Sequence, residues 1–248
     1  MSIKSLIRAL DPVELYRDTV GEPDSWQVDA LRSNHNRMLL NASRQSGKST
    51  VSAVLAVHRA LYTPRSLVLL LSPTLRQSGE LFKKCAEVYE RAGRPVRADA
   101  ETQLSLALKN GSRVVSLPGR DDAAVRGYSG VSDLIIDEAS RVPDELYMSV
   151  RPMLAVSGGR LLALSTPFGT RGWWYGAWRG EEDWQRFEIP ATEVPRISEK
   201  FLAEEKRVMG EWYFKQEYLC EFLDAEHKVF SREAIEGMFD DSIEAWAV

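Results

Sequence analysis

Apolar residues arrive along this chain in short unbroken runs, separated by longer stretches of helical spacing. The runs at residues 37–41 (RMLLN), 66–71 (SLVLLL), 134–136 (LII) and 160–164 (RLLAL) predict strands buried on both faces. Between them, residues 50–61 and 77–92 predict helices, the second amphipathic and closed by Gly93. Residues 104–108 and 113–117 flank the turn Lys109-Asn110-Gly111 and predict a hairpin. Strands alternating with helices predict an α/β fold, a mostly parallel central sheet with helices on both faces. The opening MSIKSLIRALDPVELY sets Arg8, Asp11 and Glu14 among apolar residues, the pattern of an amphipathic helix and not of a signal peptide. From residue 181 the pattern changes to charged, helical and intermittently aromatic. The expected organisation is therefore a core over residues 1–180 and a C-terminal helical lid or linker over 181–248, packed on the core.

Composition narrows this picture. The chain of 248 residues is 44% hydrophobic and 27% charged, ordinary for a globular protein. No run of 18 apolar residues is present, so no membrane span is expected. Two cysteines, Cys85 and Cys220, are too few for a disulfide framework and point to a reducing compartment. His35, His58 and His227 have no ligand-spaced partners, which argues against a structural metal site. A net charge of −4 argues against an all-over basic surface for wrapping DNA, while leaving room for a local basic strip.

The candidate chemistry begins at residues 42–50, ASRQSGKST. This stretch follows a predicted strand, precedes a predicted helix and ends as a phosphate-binding loop does, with Gly47, Lys48 and Ser49. Ala42 stands where the loop's first glycine is usual, a small penalty if its φ stays negative. Backbone N–H groups over Ser43, Arg44, Gln45, Ser46 and Thr50 would hold phosphates. Lys48 would reach the outer phosphates of ATP, and the Ser49 hydroxyl would ligate Mg2+. Some 90 residues on, LIIDEAS (134–140) is a strand ending in two carboxylates: Asp137 for the magnesium shell, Glu138 to polarise the attacking water. LALSTPFG (162–169) ends a neighbouring strand with Ser165 and Thr166, hydroxyls suited to sensing the γ-phosphate and coupling its presence to motion. Upstream, Ser25-Trp26-Gln27 offers an amide for an adenine edge at Gln27 and a ring for stacking at Trp26 or Tyr16. Its structural alternative is a helix cap at Ser25 with Trp26 in the core.

Together, SRQSGKS, IIDEA, STP and the segment FKQEYLCEF (214–222) resemble the ATPase domain of the large terminase subunit, the DNA-packaging motor of tailed bacteriophages. The resemblance covers nearly the whole chain. It implies an additional-strand P-loop NTPase fold related to RecA and helicase cores, with ATP and Mg2+ bound at Lys48, Ser49, Asp137 and Glu138. It implies double-stranded DNA as substrate, a homo-oligomeric ring on the procapsid portal with a monomer in isolation, a small terminase subunit as partner, and the host cytoplasm as location. It implies that Arg44 touches phosphate within its own subunit, that Thr166 couples, and that Arg126, in AVRGYSG, reaches a neighbour's nucleotide in trans. Family members usually continue into a nuclease domain. This chain stops at Val248 with only the pair Asp240 and Asp241, so it reads as an isolated ATPase domain from which DNA cleavage is not expected.

Two other functions compete. A helicase-like ATPase would need a second RecA-like core, for which the chain lacks room; a low-turnover switch or scaffold has little use for a base placed at Glu138. For DNA contact the candidates are Arg76, Lys83, Lys84, Lys109 and Arg113. The aromatic group Trp173, Trp174, Tyr175 and Trp178 has helical spacing and reads as core or lid packing.

Overall fold

The computed structural model describes residues 3–119 and 127–224. Eight strands form one sheet: β1 (Arg37–Ala42), β2 (Leu67–Ser72), β3 (Ala98–Glu101), β4 (Ser105–Leu108), β5 (Arg113–Pro118), β6 (Asp133–Asp137), β7 (Arg160–Ser165) and β8 (Gln185–Ile189). Among the described residues eight α-helices surround it: α1 (Ile3–Leu10), α2 (Pro12–Thr19), α3 (Ser25–Arg32), α4 (Lys48–Tyr62), α5 (Leu75–Arg91), α6 (Asp144–Val150), α7 (Gly172–Arg179) and α8 (Glu199–Tyr218). The strand order is β3-β4-β5-β2-β6-β7-β1-β8. All pairs from β5 to β8 are parallel; β3–β4 and β4–β5 are antiparallel.

The unbroken apolar runs are explained by burial on two sides. Met38, Leu40, Val68, Leu70, Ile135, Leu162 and Leu164 belong to one core, which includes Val13, Leu31, Val54 and Phe82 of α2 to α5. Their strand neighbours Leu39, Leu69, Leu71, Leu134, Ile136, Leu161 and Ala163 belong to the other, with Leu146 and Tyr147 of α6 and Trp173 and Trp174 of α7. Successive strand residues point to opposite faces, so a strand covered on both must be apolar throughout. Trp173 and Trp174 are core residues, as expected: Trp173 stacks on Tyr147 at 4.0 Å and 4°, and its Nε1 donates to Val142 O at 3.0 Å.

Three local differences have physical reasons. The N-terminal amphipathic stretch is two helices, not one: the Asp11 carboxylate accepts from Val13 N at 3.0 Å, and Pro12 starts the second helix, where its missing N–H costs nothing. α1 docks through its charged side, with Lys4 and Arg8 on Asp18, and leaves Ile3 and Leu10 exposed. The segment from 181, expected to be helical, begins with β8, which pairs with β1 and closes that end of the sheet. Cys85 and Cys220 are free and buried. No helix among the described residues is long and apolar enough to cross a membrane.

Candidate nucleotide site

The sheet register brings the candidate motifs to one edge. Asn41 of β1 is level with Ser165 of β7, and Leu164 of β7 with Asp137 of β6. The loop strand, the hydroxyl strand and the acid strand therefore end side by side at their carboxyl ends, where open α/β sheets bind ligands.

The loop turns back on two left-handed residues, Gln45 (φ 61°) and Gly47 (φ 94°). Ala42 is not one of them; it ends the strand and is fully buried, so the missing first glycine costs little. The glycine that matters is Gly47: besides its φ, a Cβ there would lie 2.8 Å from Gln27 Nε2. Ser46 Oγ donates to Ser43 O at 2.8 Å, fixing the curl, and α4 opens at Lys48 with its free N–H groups at the loop. The Lys48 ammonium lies 3.5 Å from Ala42 O and 3.8 Å from Glu138 Oε1, between the loop and the acid strand.

Asp137 is buried, and its pKa is pushed up to about 6, first by burial and then by the neighbouring Glu138, against the pull of Lys48 and Lys84. Glu138 sits in the left-handed region (φ 50°, ψ 44°), uncommon for a non-glycine residue. Its N–H donates to Asp137 Oδ1 at 3.0 Å, and a 3-10 turn, Ala139–Arg141, follows at once. That turn is pinned to β7: Ser140 N donates to Ser165 Oγ at 3.2 Å, and the two hydroxyls lie 2.7 Å apart. Ser165 is thus committed to holding the acid turn, while Thr166 lines a cavity.

Two adjoining cavities of about 530 and 730 Å³ run past these groups and share Gln45, Lys48 and Glu138. Ser46, Gly47, Ser49, Thr50 and Tyr16 line the first; Arg44, Thr74, Gln77, Arg141 and Thr166 line the second. Trp26 lies in the core and does not line either cavity, and the cap of α3 is Asp24, not Ser25. Gln27 is fully buried; its Oε1 accepts from Asp24 N at 2.9 Å, and its Nε2 faces Gly47. Of the two rings considered for stacking, Tyr16 is the one at the cavity wall.

Several residues here carry no readable signal in the sequence. Arg196 donates to Ser46 O at 2.9 Å and to both oxygens of Asp24 at 2.8 and 2.7 Å, tying the loop to α3. Glu217, inside FKQEYLCEF, accepts from Arg44 Nε at 2.6 Å, and its backbone O accepts from Arg44 N at 3.1 Å. The arginine expected on phosphate is therefore held by α8. Lys84, a candidate for DNA, lines the first cavity instead. Lys109 pairs with Asp99; Arg76, Lys83 and Arg113 are exposed. Arg126, Asp240 and Asp241 lie outside the described residues.

In the sheet, β7 stands between the loop strand β1 and the acid strand β6. This extra strand, with the loop, the acid pair and the cavity, defines a P-loop NTPase fold of the additional-strand, RecA-like class. The sequence model for "Terminase large subunit, T4likevirus-type, N-terminal" matches residues 39–236, and the chain belongs to the terminase large subunit family. It is 27% identical to the large terminase subunit of Thermus phage G20c over an alignment of 263 residues, covering 91% of this chain and 54% of that relative. Against the large terminase subunit of Escherichia phage T5 it is 25% identical over 224 residues, covering 86% and 50%. It thus spans about half the length of the curated relatives it matches. Among solved structures it is similar to the large terminase ATPase domain of Thermus phage P74-26, with a TM-score of 0.77 at 24% identity over 86% of this chain and 99% of that one. It is also similar to the large terminase of a thermophilic bacteriophage in complex with ADP, with a TM-score of 0.64 at 12% identity over 87% and 53%.

Proposed function

We propose that this chain is the ATP-hydrolysing motor domain of a packaging enzyme, driving double-stranded DNA into a viral procapsid from the host cytoplasm. In this reading it works as a homo-oligomeric ring on the portal with a small terminase subunit, and the described residues after β8, up to 224, form a lid packed on the core. The observation that supports this best is the convergence of Lys48, Glu138 and Thr166 on two joined cavities at the carboxyl edge of the sheet, in a member of the terminase family.

Each residue then has its own task. Loop N–H groups and the start of α4 bind the phosphates, with Lys48 as the main side-chain counter-charge. Ser49 and Asp137 would hold Mg2+, which when bound neutralises charge on the outer phosphates. The donor set fits a hard cation: a hydroxyl oxygen from Ser49 and the carboxylate of Asp137, which burial and the neighbouring Glu138 hold above its ordinary pKa. Glu138, aimed by its left-handed backbone and the Ser140–Ser165 clasp, takes the proton of the attacking water. Thr166, which lines the second cavity together with Glu138, would sense the γ-phosphate. Arg44 is held by Glu217 here and would exchange that carboxylate for phosphate on ATP binding, linking nucleotide to α8.

The test is packaging itself. With the full-length protein, procapsids and ATP, the wild type should protect DNA from added nuclease, and Glu138→Gln should not. Equal protection by both would contradict the proposal.

A further inference from the structure

The half-buried Lys84 is not explained by the loop or the acid pair. It lies on α5, lines the first cavity, and makes no hydrogen bond or ion pair among the described residues. Its neighbour Lys83 is exposed. A cation on a cavity wall with no hydrogen-bond or ion-pair partner of its own can meet the negative charge of a ligand entering there. The same cavity is lined by Lys48, Ser49 and Thr50, the groups that receive phosphate in the reading above. Lys84 also lies near enough to the acid strand for its charge to act on Asp137, as the smallest of the influences there. Two turns earlier on α5, Gln77 lines the second cavity, so residues seven apart on one helix face both chambers.

We propose that Lys84 is a second nucleotide-binding lysine, acting within its own subunit: it contacts the outer phosphates of ATP from α5, an element separate from the loop that carries Lys48. This rests on the cavity being the ATP site. It also removes Lys84 from the candidates for DNA contact. α5 packs against α4 and the sheet, so the phosphates would be gripped from two helices.

The experiment is an equilibrium titration of the chain with a fluorescent, hydrolysis-resistant ATP analogue and magnesium, without DNA. Lys84→Met keeps the apolar stem and removes the charge; it should bind about tenfold more weakly, the loss of one charge-assisted hydrogen bond. Lys84→Arg should restore binding to within about threefold of wild type, because a cation is retained. Thermal melting without nucleotide should be the same for all three; Lys84→Gln replaces the Met variant if that one does not fold. Wild-type affinity in the uncharged variant would overturn the proposal, whether DNA-stimulated turnover then falls, marking Lys84 as a DNA contact, or stays unchanged. Lys48→Ala, run in parallel, tests the site itself: if it too binds as wild type, the cavity is not the ATP site, and the failure lies there.

Discussion

Glu138 occupies backbone space that most side chains avoid, at a cost on the order of 1–3 kcal/mol. The contacts that hold it there are specific: the Asp137 carboxylate on its N–H, and Ser165 on the N–H and hydroxyl of Ser140. Ser165→Ala removes the partner of both Ser140 groups in a fully buried position. It is expected to cost about 1 kcal/mol of stability, the net worth of a hydrogen bond whose Ser140 partner is half-buried, and to lower turnover because Glu138 is less well aimed. Thermal melting and steady-state phosphate release measure the two effects; unchanged values for both would mean that the clasp aims nothing. Lys48→Ala should nearly abolish hydrolysis while circular dichroism stays native, since the ammonium makes only long contacts of 3.5 and 3.8 Å among the described residues.

At the scale of elements, α1 is fastened to the body by polar contacts, one of which titrates. His58 of α4 hydrogen-bonds Arg8 O through Nε2 at 2.9 Å. Its pKa is lowered, first by burial, with the nearby Arg160 and Arg59 adding and the bond to Arg8 opposing. The neutral imidazole is thus favoured in the fold, and the unfolded chain binds the proton more readily. Its contribution to stability is present above the unfolded value of about 6.5 and is lost as pH falls through that value and the lower folded one. Melting curves from pH 7.5 to 5.0 should show a decline that is smaller in His58→Gln; identical pH dependence would contradict this. The same scale shows what the pattern of residues reveals. The strands β1, β2, β6 and β7 are legible because burial on both faces leaves a continuous apolar run. β8 (QRFEI) is not, because an edge strand with four of five residues half-buried or exposed has neither a run nor an alternation. The loop, Asp137 and Glu138 are legible from residue type and spacing. Arg196 and Glu217 are not, because each meets the loop only through contacts more than 140 residues apart in sequence, which no local pattern encodes.

For the whole molecule, the question is how one site uses another. The family resemblance of the stretch AVRGYSG implies that Arg126 would complete the site of a neighbouring subunit. Mixing Arg126→Ala with Lys48→Ala, under conditions where assembly is shown independently, should then restore some turnover, because one variant lends the arginine and the other supplies the intact site. A mixture no more active than the sum of its parts would exclude a trans role. The central claim, that these two cavities and their acid pair hydrolyse ATP, is tested most directly by Glu138→Gln, which keeps the shape and removes the base. ATP binding and steady-state phosphate release should be measured on the same preparation as wild type. The account predicts near-normal affinity with hydrolysis at least ~100-fold slower, the scale of general-base loss; hydrolysis within a few-fold of wild type would contradict it.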